Sequence, residues 1–178
     1  GGQFLFKDIY VTELHHTSLF NGKDLEGWIG GGEAGGKPAA CWEVRDGMLV
    51  CTGKKGSWLR TTAEHGDFNL RLDYKLQAGG NSGVFLRVPA DGSHRGKEAG
   101  VEVQILDDAA DRYKNLKPWQ YSGSVYGIAP AKTRVAKPAG RWNTLEIDLQ
   151  GQVYRVVHNG VVIVDANPEN FPALAKRR

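Results

Sequence analysis

The chain has 178 residues, 40% of them hydrophobic, with 23 Lys and Arg against 20 Asp and Glu for a formal charge of +3. That length supports one domain with a substantial core. The near balance of charge, with a basic run only at Lys176, Arg177 and Arg178, argues against nucleic acid as a partner, and no apolar run approaches the roughly 20 residues of a membrane-spanning helix.

In chain order, residues 3–14 (QFLFKDIYVTEL) begin as a strand of aromatic and β-branched residues, with Phe4 and Phe6 inward. Leu19 and Phe20 precede an Asn-Gly turn and a short segment ending on Trp28. The glycines of residues 30–40 follow no strand and precede no Lys-Ser or Lys-Thr, so this stretch reads as a surface loop and not as a phosphate cradle. Residues 41–52 form a hairpin. With Arg45, Asp46 and Gly47 as its loop, Cys41 would face Cys51, either as a disulfide, which implies an oxidising compartment, or as two small buried thiols.

A short strand is expected over 57–61, and residues 68–76 (FNLRLDYKL) alternate so cleanly that one side is core and the other solvent. Residues 109–120 are a loop carrying Tyr113 and Trp119, 122–128 return as a strand, and 129–140 are an exposed loop. Residues 142–149, 152–158 and 161–164 form a meander whose last turn is Asn159-Gly160, and the tail holds at most one helical turn. Strands of this number and spacing predict an all-β, two-sheet antiparallel β-sandwich, in the form of a jelly roll with a concave ligand face.

Residues 79–107 (GGNSGVFLRVPADGSHRGKEAGVEVQILD) gather the chemistry. Strands over 84–88 and 101–106 flank a loop rich in Gly, His, Arg and Lys. Alternation places Glu102 and Gln104 on one face of the second strand, with Cα atoms about 7 Å apart, close enough for both to reach one sugar-sized ligand. Asp107 falls on the opposite face unless a bulge or the strand's end re-aims it. Phe85 and Arg87 share a face of the first strand.

The segments SLFNGKDLEGW, WEVRDGMLVC, FNLRLDYKL, NSGVFLR, GVEVQILD, GSVYG, RWNTLEI and HNGVVIVD run in order from Ser18 to Asp165. In combination they resemble the 3-keto-disaccharide hydrolase domain family, long catalogued only as a domain of unknown function. The resemblance implies a concanavalin-like jelly roll acting on carbohydrate, commonly exported to the periplasm or cell surface. Family domains usually finish on a segment like FRNIRIREL, whereas a segment of that kind, FLFKDIYVTEL, here stands at the N-terminus. Residues 1–14 are therefore expected to be the last strand of a preceding tandem repeat or a permuted edge strand, ahead of a single jelly-roll domain over 15–178.

The pattern Glu102-x-Gln104-x-x-Asp107 is similar to the E-x-D-x-x-E strand of laminarinase-type glucanases, but an amide in the centre can neither protonate a leaving group nor act as a base. The family's activity implies another route. A ketone at sugar C3 acidifies the C2 proton, so one base starts elimination of the C1 substituent and water then adds. Glu102, Gln104 and Asp107 are the catalytic candidates. Asn81, Ser82, Arg87, His94, Trp119 and Tyr126 are the substrate-binding candidates, with His94 a second candidate base and Trp58 a further aromatic for stacking. A divalent cation held by Glu102, Asp107 or His94 would polarise the ketone, although no short His and carboxylate motif demands one. Two other readings use the same residues: a carbohydrate-binding module in which Glu102 and Gln104 only read hydroxyls, and a structural repeat of a larger exported protein with a neighbouring tandem domain.

Overall fold

The computed structural model describes residues 16–30, 41–53, 58–89 and 100–176, which fall into two compact units. The strand expected over 1–14 and the loop residue His94 lie outside the described residues.

The first unit holds residues 16–30, 41–53 and 58–62. Its strand β1 (Trp28–Gly30) pairs antiparallel with β4 (Leu59–Thr61), and β2 (Trp42–Arg45) pairs with β3 (Met48–Cys51). β1 was not expected; the sequence marks only the Asn21 turn before it, where Asn21 Oδ1 accepts the Lys23 and Asp24 N–H groups. The β2–β3 turn corrects the cysteine reading. Arg45 pairs with Met48, so the loop has two residues, Asp46 and Gly47, with φ of 51° and 72°. Both left-handed values fit the tight turn that matches strand twist, and Asp-Gly supplies them at low cost. Relative to a three-residue loop the register moves by one, which sends alternate side chains to opposite faces. Cys51 therefore faces Trp42, Cys41 lies opposite Thr52, and the two form no disulfide, Cys41 being buried and Cys51 exposed.

The second unit, from residue 63, is an antiparallel sandwich. Its larger sheet runs in the order β10-β9-β8-β5, from Val161–Ala166, Val153–His158, Asn143–Gln150 and Phe68–Tyr74. The Asn159-Gly160 hairpin forms as its dipeptide predicts, with φ of 49° and 81°. A bulge between Val162 and Val164 lets the consecutive residues Ile163 and Val164 both turn inward. The second sheet pairs β6 (Asn81–Leu86) with β7 (Val101–Leu106). Leu86, Val101, Val103 and Ile105 on its inner face pack with Leu145, Ile147, Tyr154, Val156 and Ile163 of the larger sheet in one buried cluster. Each such side chain removed from water contributes about 1.5–3 kcal/mol, which makes this cluster the main support of the unit.

The strand expected over 122–128 is reduced to Val125, which bridges Val103 on one side and Ala129 on the other. Gly123 and Gly127, with φ of 81° and 73°, bend the chain out of the extended region on either side. A few residues on, the Lys132 N–H donates to the Ile163 carbonyl of β10. This one segment thus joins the outer side of β7 to the edge of the opposite sheet. β6 also differs from expectation. It begins at Asn81, because the turn closes earlier through the Gly80 N–H and the Gln77 carbonyl, and it ends at Leu86, because Arg87 has φ of 52°.

Candidate functional site

The register of β6 and β7 fixes which side chains share the outer face. Phe85 lies opposite Glu102 and Gly83 opposite Gln104, while across β7 the bridge at Val125 sets Ser124 and Tyr126 beside Gln104 and Glu102. Opposed residues in antiparallel strands project to the same side. Two rows result, Phe85-Glu102-Tyr126 and Gly83-Gln104-Ser124, on the face turned away from the core. The Tyr126 N–H donates to the Glu102 carbonyl at 2.9 Å, and the Gln104 N–H donates to the Ser124 carbonyl at 3.0 Å, which hold the rows in line.

Glu102 is half-buried, and its carboxyl is raised above the ordinary carboxylate range by burial alone. Gln104 is 5% exposed, and its Oε1 meets no hydrogen-bond donor among the described residues. A buried unpaired amide oxygen costs free energy unless a ligand or another donor satisfies it. Tyr126 is 37% exposed. Its hydroxyl accepts the Gln120 side-chain N–H at 2.9 Å, and its ring meets Trp119 edge-on with centroids 5.1 Å apart. Pro118, at the start of the 3₁₀ turn Pro118–Gln120, fixes the backbone that carries Trp119 and Gln120. A poised carboxylate, a buried amide and an aromatic rim therefore lie along one strand pair.

Other candidates from the sequence are placed elsewhere. The left-handed backbone of Arg87 breaks the alternation that would have set it beside Phe85, and its guanidinium instead bonds Asp67 and the carbonyls of Gly66 and Gly151. Ser82 lies opposite Ile105, on the other face from Glu102, whereas Asn81 shares the outer face at the exposed start of β6. Asp107 is 9% exposed, and its Oδ2 accepts the Gly79 N–H at 2.7 Å, closing the β5–β6 loop. Five residues of strand rise, about 16 Å, separate it from Glu102, too far for the two to share a cation. Among the described residues no group of three His, Cys, Asp or Glu side chains converges on a cation position. Trp58 belongs to the first unit.

Asp107 instead lines an open cleft of about 190 Å³ together with Asp108, Arg134, Lys137 and Pro138. Asp108 accepts the Ser122 N–H at 3.0 Å, and Arg134 stacks on the Tyr121 ring.

The model of the 3-keto-alpha-glucoside-1,2-lyase-like domain family matches residues 15–176. The chain belongs to that family. A curated relative, the 3-keto-disaccharide hydrolase of Bacteroides thetaiotaomicron, is 27% identical over 181 aligned positions, and the alignment covers 87% of this chain. The chain spans only 57% of that relative's length. Two crystal structures of candidate glycosyl hydrolases from Parabacteroides distasonis share the fold. One superposes with a TM-score of 0.73 at 26% identity over 89% of this chain and 76% of the other. The second superposes with a TM-score of 0.68 at 30% identity over 82% and 68%. The family match spans the whole Glu102 face.

Two features of that face were missed in the sequence. Gly83 was left outside the strand expected over 84–88, and Gln120 was read only as part of the 109–120 loop. The antiparallel register opposite Gln104 was the available signal for Gly83; nothing local marks Gln120.

Proposed function

We propose that the outer face of β6 and β7 takes a 3-keto-glycoside and that Glu102 removes the proton from sugar C2. The C–H bonding pair moves into an enolate with the C3 ketone. The enolate then expels the C1 substituent with its bonding electrons, leaving a C1=C2 double bond conjugated to the ketone. Water adds at C1 and a proton returns to C2, so the net reaction is hydrolysis of the glycosidic bond. The observation that carries this reading is the half-buried Glu102 carboxyl, raised by burial and set between Phe85 and Tyr126. Raising a carboxylate toward the working pH makes it a stronger base while leaving it ionised enough to act. Gln104 offers its unpaired Oε1 to a sugar hydroxyl, and Asn81 stands at the rim of the same face. Tyr126 and Trp119 present aromatic surface for a sugar ring.

A second reading, sugar binding without turnover, is favoured by the exposure of Tyr126 beside Trp119. The test is aglycone release from 3-keto glucosides and from their unoxidised parents, with and without divalent cations, by the native chain and by Glu102→Gln. Turnover confined to the keto sugars and lost in the variant supports elimination. Saturable binding without turnover, weakened in the variant, supports the binding module instead.

A further inference from the structure

Gly83 occupies the interior of β6, where a glycine weakens a strand and therefore asks for a reason. Its φ is not among the left-handed values of the chain, so backbone conformation does not require glycine there. Space does. A Cβ placed on Gly83 would lie 2.1 Å from Glu102 Oε1 and 2.8 Å from Glu102 Cδ and Cγ, an overlap with the whole carboxylate arm. Glu102 is paired with Phe85, not with Gly83, so its side chain does not stand straight out from its own row. It crosses diagonally into the row of Gly83 and Gln104 and lies along the strand where a side chain at position 83 would be.

We propose that Gly83 is a positioning residue for Glu102: the missing side chain makes a seat that holds the carboxylate against β6, beside Gln104 and at a fixed height above the sheet. The seat explains how a carboxylate on an outward-facing strand position becomes half-buried without a salt-bridge partner among the described residues. Any side chain at position 83 lifts the carboxylate off the strand into water. The proposal rests on Glu102 acting as the base, because only a reacting group needs its distance to the sugar fixed this closely. Misplacing such a group by about 1 Å costs on the order of 100-fold in rate.

The activity test uses Gly83→Ala on a 3-keto glucoside. The expected result is a drop in kcat of about 10- to 100-fold with little change in KM, because Tyr126, Trp119 and Asn81 still meet the sugar. The acid limb of the kcat/KM profile should also move to lower pH, because a carboxylate returned to water loses the burial that raises it. An unchanged kcat and an unmoved acid limb in a folded Gly83→Ala protein would overturn the proposal.

A second cycle needs no substrate. The Tm of Gly83→Ala is compared with wild type and, separately, in a Glu102→Ala background, where the arm that fills the seat is gone. Residues in contact are expected to be non-additive. The alanine should therefore change Tm differently in the two pairs, because only in the first must the carboxylate leave its seat. An equal change in both would show that Glu102 does not fill this space, and the seat would be wrong whatever the activity. Strong coupling in Tm combined with a wild-type chain that turns over no keto sugar would instead remove the base assignment and, with it, the catalytic purpose of the seat.

Discussion

The outer face of β6 and β7 and the end of β7 carry acidic side chains only five residues apart, yet they treat them in opposite ways. At the strand end Asp107 accepts the Gly79 N–H and fixes a loop, while Asp108 stands between the two cases: it accepts the Ser122 N–H through Oδ1, but its Oδ2 is buried without a partner among the described residues and burial raises its carboxyl. On the face, Glu102 closes no loop, and burial raises it with no opposite charge among the described residues to offset the cost. An acid that holds the fold is one whose hydrogen bonds are already spent. An acid available for chemistry is one that the fold half-buries and leaves unspent.

The sharpest way to test this contrast is to neutralise one acid from each place. Glu102→Gln should lower turnover of a 3-keto glucoside by about 1,000-fold, within the usual range for loss of a general base. The same change should leave Tm equal or higher at neutral pH. A carboxyl whose folded value lies above its unfolded value destabilises the native state once pH rises past it, and the amide removes that penalty. A clear loss of stability in Glu102→Gln would place Glu102 with the structural acids.

His158 could break the contrast, because it too has an unsatisfied atom but lies inside the core. It is 1% exposed; its Nε2 meets the Tyr74 hydroxyl at 3.0 Å, and its Nδ1 finds no partner among the described residues. Burial pushes the imidazole down to about 4 from its usual 6.5, with the Lys137 charge adding to the effect, and burial raises Tyr74 to about 12. The folded value lies below the unfolded one, so the unfolded chain binds the proton more readily. The corresponding stability is present above pH 6.5 and is lost as pH falls from 6.5 toward 4, by about 3 kcal/mol in all. Denaturant titrations across that window should show the slope in the native chain and its absence in His158→Leu, with turnover at neutral pH unaffected in both.

Asp107→Ala should leave the Gly79 N–H without its acceptor. That costs about 1–3 kcal/mol, or roughly 2–4 °C of Tm per kcal/mol at this chain length, with no change in turnover per folded molecule. Arg87→Ala should lower Tm without touching the sugar face: it loses the pair with the exposed Asp67, worth about 0.2–1 kcal/mol, and the bonds to the Gly66 and Gly151 carbonyls, about 0.5–1.5 kcal/mol each, and KM for the sugar should stay the same.

Much of the sandwich was legible because it depends on alternation and turn dipeptides. The pattern of residues 68–76 and the Asn159-Gly160 turn each led directly to a strand or hairpin that the structure contains. The face shared by Glu102 and Gln104 was legible for the same reason. Errors arose where one residue leaves the extended region. A two-residue Asp46-Gly47 turn shifted the cysteine register, the left-handed φ of Arg87 redirected a guanidinium, and two glycines reduced an expected strand to a bridge. Partners set by the path of a loop, such as Gln120 on Tyr126, or brought from afar, such as Tyr74 on His158, leave no local trace in the sequence.

The segment that runs from Val125 to Lys132 has a consequence for association. A sheet edge with free carbonyl and N–H groups is a template for another chain to add a strand, whether in a fibril or in a swapped dimer. On β10 the Lys132 N–H already occupies the Ile163 carbonyl, and Asn170 reaches the Asp165 carbonyl. The exposed side chains of Val161 and Val162 therefore stand beside a backbone that is partly taken, which blunts the β10 edge against polymerisation despite its apolar sequence.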